Sequence, residues 1–172
     1  MDVDTATRTL KFEFNDDVKA AVLNVVPDMR AGDIASKAGL ATANKRWCEV
    51  DFLTFESKAV KNVHVLGDAV QSAPLMPKSA HMANQHGKTC AAAVIALLTG
   101  KGVNSMPIYN NTCYSFVSDE DVVHVASVHR YDAAQKTMVP VAGSGGVSSA
   151  ANELEGRYAM AWARNIWADT LV

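Results

Sequence analysis

The chain has 172 residues, 49% hydrophobic and 20% charged, enough for one ordinary domain or two small lobes around a buried core. Its formal net charge of −2, with no basic run and no nucleic-acid-reading motif, gives no basis for capturing DNA, RNA or an acidic membrane surface. No stretch reaches the ~18 consecutive apolar residues of a membrane span, and the cysteines at positions 48, 90 and 113 form neither a CxxC pair nor an even-numbered disulfide framework.

The opening "MDVDTATRTLKFEF" is polar and alternating, so it reads as sheet and not as a signal peptide. "TLKFEF" predicts a strand. "AAVLNVVP" is an almost continuous apolar run, the pattern of a strand buried on both faces in a parallel or mixed sheet, ended by Pro27. "AGDIASKAGL" reads as a short helix closed by Gly39. "WCEVDFLTF" predicts a strand near the surface, an outer strand that carries Cys48 and is preceded by a packing Trp47, and "NVHVL" a short β-branched strand. A helix rich in Ala, Leu and Met follows to about Leu98 and stops at "TGKG". Its start is expected near Pro77 or Lys78, since a proline in the first turn loses nothing by lacking an N–H.

After the connector "NSMPIYNN", the segments "TCYSFV", "VVHVASVHRY" and "TMVPVAG" predict an antiparallel meander with turns at "SDED" and "DAAQK". "GSGGVSS" reads as a loop. Asn152 to Thr170 predicts an amphipathic helix with Leu154, Tyr158, Trp162 and Ile166 along one side. The chain thus divides near residue 104 into an α/β part (1–104) and an α+β part (105–172).

The histidine spacing argues against a metal site. His81 and His86 lie five apart on a helix, about 140° around its axis, and His124 and His129 lie five apart on a strand, on opposite faces. Neither pair has a Cys, Asp or Glu at ligand spacing.

The stretch "NVHVLGDAVQSAPLMPKSAHMANQHG" carries the strongest functional signal. Ligands of open α/β sheets sit beyond the carboxyl ends of strands. Gly67 permits close backbone approach, Asp68 can accept hydrogen bonds from sugar or ribityl hydroxyls, and a helix N-terminus suits an electron-rich edge.

The order strand–GDA–loop–MPKSA–helix resembles the second flavin-contacting segment of the two-dinucleotide-binding-domain flavoproteins, and most closely the flavoprotein subunit of flavocytochrome c sulfide dehydrogenase. "NVVPDMRAGDIASKAGL", "WCEVDFLTFES", "MPKSAHMANQHGKTCAAAVIALL", "NTCYSFV" and "YAMAWARNIWADT" resemble that family in its order, from about residue 20 to the end. The resemblance implies the second half of an FAD-binding region followed by a carboxyl-terminal interface domain. The family's GxGxxG loop has no counterpart here, because "GSGGVS" follows no initial βαβ strand and has Ser148 in place of the third glycine. The chain therefore reads as the carboxyl-terminal portion of a larger flavoprotein, and by itself is not expected to retain FAD.

The resemblance further implies that Gly67, Asp68 and Ala69 hold the ribityl–pyrophosphate region, and that in the cofactor-binding segment Pro77–Ser79 it is Lys78 and Ser79 that stabilise negative charge developing at the ring's pyrimidine edge. Cys113 would be one half of a redox-active cysteine pair whose partner lies upstream, with Lys78 the candidate to favour its thiolate. Trp162 would approach the flavin on a path toward haem. Cys48 and Cys90 read as structural. The implied activity is FAD-dependent sulfide oxidation with a c-type cytochrome subunit as acceptor, in the periplasm. The rivals are a sulfide:quinone or NADH-type relative, and a non-catalytic interaction module.

Overall fold

The structure, a computed structural model, describes residues 2–171. Asp2–Asp4 (β1), Thr9–Lys11 (β2) and Val18–Lys19 (β3) pair antiparallel in the order β1-β2-β3. The predicted strand at "TLKFEF" therefore stops at Lys11. The buried strand expected at "AAVLNVVP" does not form, and Val22 and Val26 are exposed. An apolar run becomes a strand only where neighbours complete its hydrogen bonds, and none pairs with it among the described residues.

The short helix α1 (Asp33–Lys37) ends as its sequence predicts. Gly39 takes φ +70, and the Leu40 N–H turns back to the Ala35 carbonyl at 2.8 Å. The following "WCEVDFLTF" forms isolated bridges instead of a surface strand, and it is core: Cys48, Val50, Phe52 and Phe55 are all buried. A tight turn causes this. Asp51 accepts the Phe55 N–H on its carbonyl and the Leu53 N–H on its side chain, and Phe55 adopts φ 58. "NVHVL" likewise contributes a single bridge, Glu56 to His64.

Gly67–Ala69 form a 3₁₀ turn, and the long helix α2 spans Ala80–Leu98. Its N-cap is Ser79, so Pro77 and Lys78 precede the helix and do not start it. Three strands follow: β4 (Ile108–Phe116), β5 (Val122–Asp132) and β6 (Thr137–Pro140). They form the predicted meander, with β4 reaching back into the expected connector. Gly146–Val147, expected as loop, forms β7 against β5. The final helix α3 spans Glu153–Thr170 and is capped by Asn152, whose side chain accepts the Glu155 N–H at 2.9 Å.

The result is a mixed α/β fold with antiparallel sheets and a carboxyl-terminal helix. Parallel pairing among the described residues is limited to the bridge Cys48–Val70. The main core crosses residue 104, joining Val50, Phe52, Phe55 and Met82 to Tyr109 on β4 and Met138 on β6.

Helix α3 does not bury the predicted stripe. Leu154 and Tyr158 are exposed, while Gly156 and Ala159 are buried and Trp162, Ala163 and Ile166 half-buried. The smallest side chains face inward because backbone packs on backbone: a Cβ on Gly156 would stand 2.1 Å from the Glu120 carbonyl oxygen. At the other end, Asp169 accepts from Lys88 Nζ (2.9 Å) and Asn84 Nδ2 (2.7 Å) of α2.

Gly156→Ala should therefore lower stability by about 1–3 kcal/mol in urea unfolding, against the ~1 kcal/mol that alanine adds in an unobstructed helix interior. A raised midpoint would show that the crossing has room to spare.

Candidate functional site

The N-terminus of α2 organises the site. Ser79 is extended (φ −158, ψ 158), and its Oγ accepts the Met82 N–H at 3.1 Å. The amides of Ala80 and His81 have no acceptor among the described residues and leave the positive end of the helix open.

On one side of this helix end lies a recess of about 300 Å³. It is lined by Ser79, Ala80 and His81 of α2, by Thr112, Cys113, Tyr114 and Phe116 of β4, and by Ala159, Met160, Trp162 and Ala163 of α3. Ser79, Cys113 and Trp162, predicted from three separate segments, thus share one wall. Trp162 meets His81 edge-on at 5.5 Å and lies 6.0 Å from Tyr114. The His81 Nδ1 accepts the Thr112 N–H at 3.1 Å, which places its own proton on Nε2. Burial, helped by Lys88, holds His81 below the usual histidine pKa. Cys113 is half-buried, with Asn111 Nδ2 3.3 Å from its sulfur. Cys48 and Cys90 are buried in the core, and burial raises both their thiol pKa values.

No charged side chain lines this recess. Lys78, expected beside the Cys113 thiol, is committed elsewhere. Its ammonium donates to the carbonyls of Asp68 (2.8 Å) and Val70 (2.5 Å) and stands 3.8 Å from the centroid of the Trp47 ring. Burial lowers its pKa, with Asp68 opposing. Lys78 is therefore a staple across the Gly67–Ala69 turn. Trp47, read from sequence as a packing residue, is its cation–π partner. No local pattern announces this pair, because the two residues are 31 positions apart.

A second hollow of about 330 Å³ lies on the staple's side, lined by Pro27–Gly32 together with Trp47, Asp68, Ala69 and Lys78. Asp68 is exposed at its edge. Gly67 has φ +70, and a Cβ there would sit 3.3 Å from Ala83 Cβ of α2, so conformation and space both favour glycine. The Gly67 N–H donates to His86 Nδ1 at 3.3 Å. His86 is buried against Phe55 (4.6 Å) and Tyr109 (5.2 Å), and its Nε2 has no partner among the described residues. Pro77 is half-buried two residues before the Ser79 cap and lines neither hollow.

Two other features are not joined to these residues. A larger cavity of about 560 Å³ between the β4–β5 turn and α3 is lined by both signs of charge, including Asp119, Glu120, Arg157 and Arg164. It shares only Phe116 and Met160 with the Cys113 recess. Ser148, His124 and Glu155 form a cluster of triad composition, but Ser148 Oγ (2.9 Å) and Glu155 Oε2 (2.8 Å) both face Nδ1 of the ring. A proton relay needs the two ring nitrogens to face different partners, so this cluster buckles the β7 loop to α3. Among the described residues no group of three or more His, Cys, Asp or Glu could hold a metal ion.

Residues 105–171 match the protein-family model described as "Flavocytochrome c sulphide dehydrogenase, flavin-binding". The match spans Cys113 and Trp162 and leaves Gly67–Ser79 outside. The resemblance drawn from the sequence motifs thus holds for the carboxyl-terminal portion of that flavoprotein subunit. The family implies flavin-dependent oxidoreductase chemistry, a flavin cofactor and a cytochrome partner. No helix among the described residues is long and apolar enough to cross a membrane.

His86 gives the site a measurable pH signature. Burial, with Lys78 adding to it, lowers its pKa from 6.5 to about 4. Between those values the unfolded chain holds a proton that the folded chain does not, so stability falls as pH falls. Below about 4 the folded state takes the proton too and the loss stops. His86 alone should contribute a loss of about 3 kcal/mol from pH 6.5 to 4. Urea unfolding across that range should lose about 1.4 kcal/mol per pH unit of slope in His86→Gln; an unchanged slope would contradict the buried neutral imidazole.

Proposed function

We propose that this chain is the carboxyl-terminal portion of a two-dinucleotide-binding-domain flavoprotein that oxidises sulfide and delivers the electrons to a c-type cytochrome subunit. Residues 1–104 complete the FAD-binding region, residues 105–172 form the interface domain, and the assembly works in the periplasm. The observation that carries this reading is the convergence of Ser79, Cys113 and Trp162 on one recess at the open N-terminus of α2, two of them within the matched flavin-binding region.

The residues present fit one wall of a flavin site. The unengaged Ala80 and His81 amides can donate to an electron-rich ring edge, and the exposed Asp68 stands with Ala69 at the rim of the second hollow, on a turn that Gly67 lets pack against α2. In this reading Gly67, Asp68 and Ala69 bind the ribityl–pyrophosphate region. Ser79 and the first turn of α2 stabilise negative charge at the pyrimidine edge. Pro77 and the Lys78 staple hold the entering chain in place. Trp162 closes the apolar side and excludes water. FAD, when bound, supplies the conversion of two-electron sulfur chemistry into single electrons for a haem.

Cys113 is one half of a cysteine pair whose other member lies on a segment upstream of this chain. Hydrosulfide attacks one sulfur of the oxidised pair, so that an S–S bond to sulfide forms, the cysteine–cysteine bond breaks, and the other cysteine leaves as thiolate. Cys113 belongs in that role because it is the half-buried thiol of the three, set in an apolar recess.

In the full-length flavoprotein, Cys113→Ser should leave the flavin bound while sulfide-dependent bleaching of its absorbance falls by orders of magnitude. Unaltered bleaching would remove Cys113 from the reaction. Mixed with FAD, this chain alone should give no stoichiometric, tightly held yellow complex in equilibrium dialysis; such a complex would mean that the site is complete without further segments.

A further inference from the structure

Asn111 lies on β4 two residues before Cys113 and is only 3% exposed. Its amide fills the space between Ser79 and the Cys113 sulfur. The Met82 N–H can only donate, and it donates to Ser79 Oγ at 3.1 Å. The Ser79 hydroxyl proton is thereby sent onward to Asn111 Oδ1 at 2.5 Å. With Oδ1 committed to Ser79, Nδ2 faces Cys113 Sγ at 3.3 Å, against 3.7 Å from Oδ1 to the same sulfur. From the Met82 amide, through Ser79 and Asn111, every donated proton points toward the sulfur.

We propose that Asn111 is a positioning residue that carries the positive end of α2, through Ser79, to the sulfur of Cys113, so that this thiol reacts as thiolate in a recess without a cation. The proposal rests on reading Cys113 as the redox thiol. Hydrogen bonds aligned head to tail polarise one another, and the first of them draws on the helix's own N-terminal dipole. An amide N–H is worth more to a charged sulfur than to a neutral one, so the chain favours the thiolate over the thiol.

The groups that titrate around the sulfur leave the effect to this chain. From α2 comes His81, which burial lowers and which accepts the Thr112 N–H on Nδ1. From β4 comes Tyr114, which burial raises. Helix α3 presents no charged side chain to the recess. Its Glu155 is bound to Ser148 and His124, which hold its carboxyl below the usual range.

Alkylation of this chain by iodoacetamide from pH 6 to 10, read by peptide mass spectrometry, tests the relay without any flavin. Cys48 and Cys90, being buried, report whether each variant is folded. Asn111→Leu should slow Cys113 alkylation near neutral pH about tenfold and move its pH–rate profile to higher pH. Ser79→Ala should shift the profile in the same direction by less, and Ser79→Thr, which keeps the hydroxyl, should restore it. Where Asn111→Leu exposes Cys48 and Cys90 by unfolding, the Ser79 pair decides. Profiles left in place by Ser79→Ala, with Cys48 and Cys90 protected, overturn the relay. A shift in a protein whose full-length form fails to oxidise sulfide would keep the relay and remove the sulfide reading alone.

Discussion

The hydroxyl of Ser79 accepts from the third amide of α2 and donates to Asn111 on β4, and both consequences shape the site. As a cap, it fixes where the helix begins. Lys78 therefore stays outside the helix, free to fold back on the Asp68 and Val70 carbonyls. As a donor, it ties that helix end to the strand that carries Cys113. Had the helix begun a turn earlier, at Pro77, neither the Lys78 staple nor the open amides of Ala80 and His81 would stand where they do.

The two hollows flank a single helix end, and each wall has its own physical cause. On the staple's side, a glycine at φ +70 lets the 3₁₀ turn pack on Ala83, with buried His86 accepting its amide. On the Cys113 side, the small residues of α3 allow close approach to the sheet, and Trp162 then reaches His81 and Tyr114. The helix's ion pair from Asp169 to Lys88 is exposed and adds little by itself; the apolar fit places the tryptophan.

Elements whose signals are local were legible in the sequence. Gly39 closes α1, the last helix begins at Asn152, and the alternating meander is separated by its turn residues as predicted, whereas α2 starts after its Ser79 cap and not at Pro77 or Lys78. Features that depend on distant partners were not. The apolar run around Val22 has no neighbour to pair with, and Cys48 to Phe55 became core through a turn at Asp51 and a bridge to Val70. The stripe on α3 was misjudged because hydrophobic weight favours Leu154 and Tyr158, whereas the buried face is chosen by the thinness of Gly156 and Ala159. Of the candidate site, Ser79, Cys113 and Trp162 are legible in the order of the motifs. Trp47 packs on the core as its sequence suggests, but its contact with Lys78 is hidden by their distance along the chain, and Asn111 is not legible because a strand asparagine carries no signature of its own.

The most direct measurement is a crystal structure of the full-length flavoprotein with its flavin bound. The account predicts Cys113 Sγ in van der Waals contact with the ring system, the first turn of α2 directed at the ring's pyrimidine edge, and Asp68 hydrogen-bonded to the ribityl chain. A flavin lying away from this recess, with the sulfur and the Asp68 carboxylate meeting only protein or water, would contradict it.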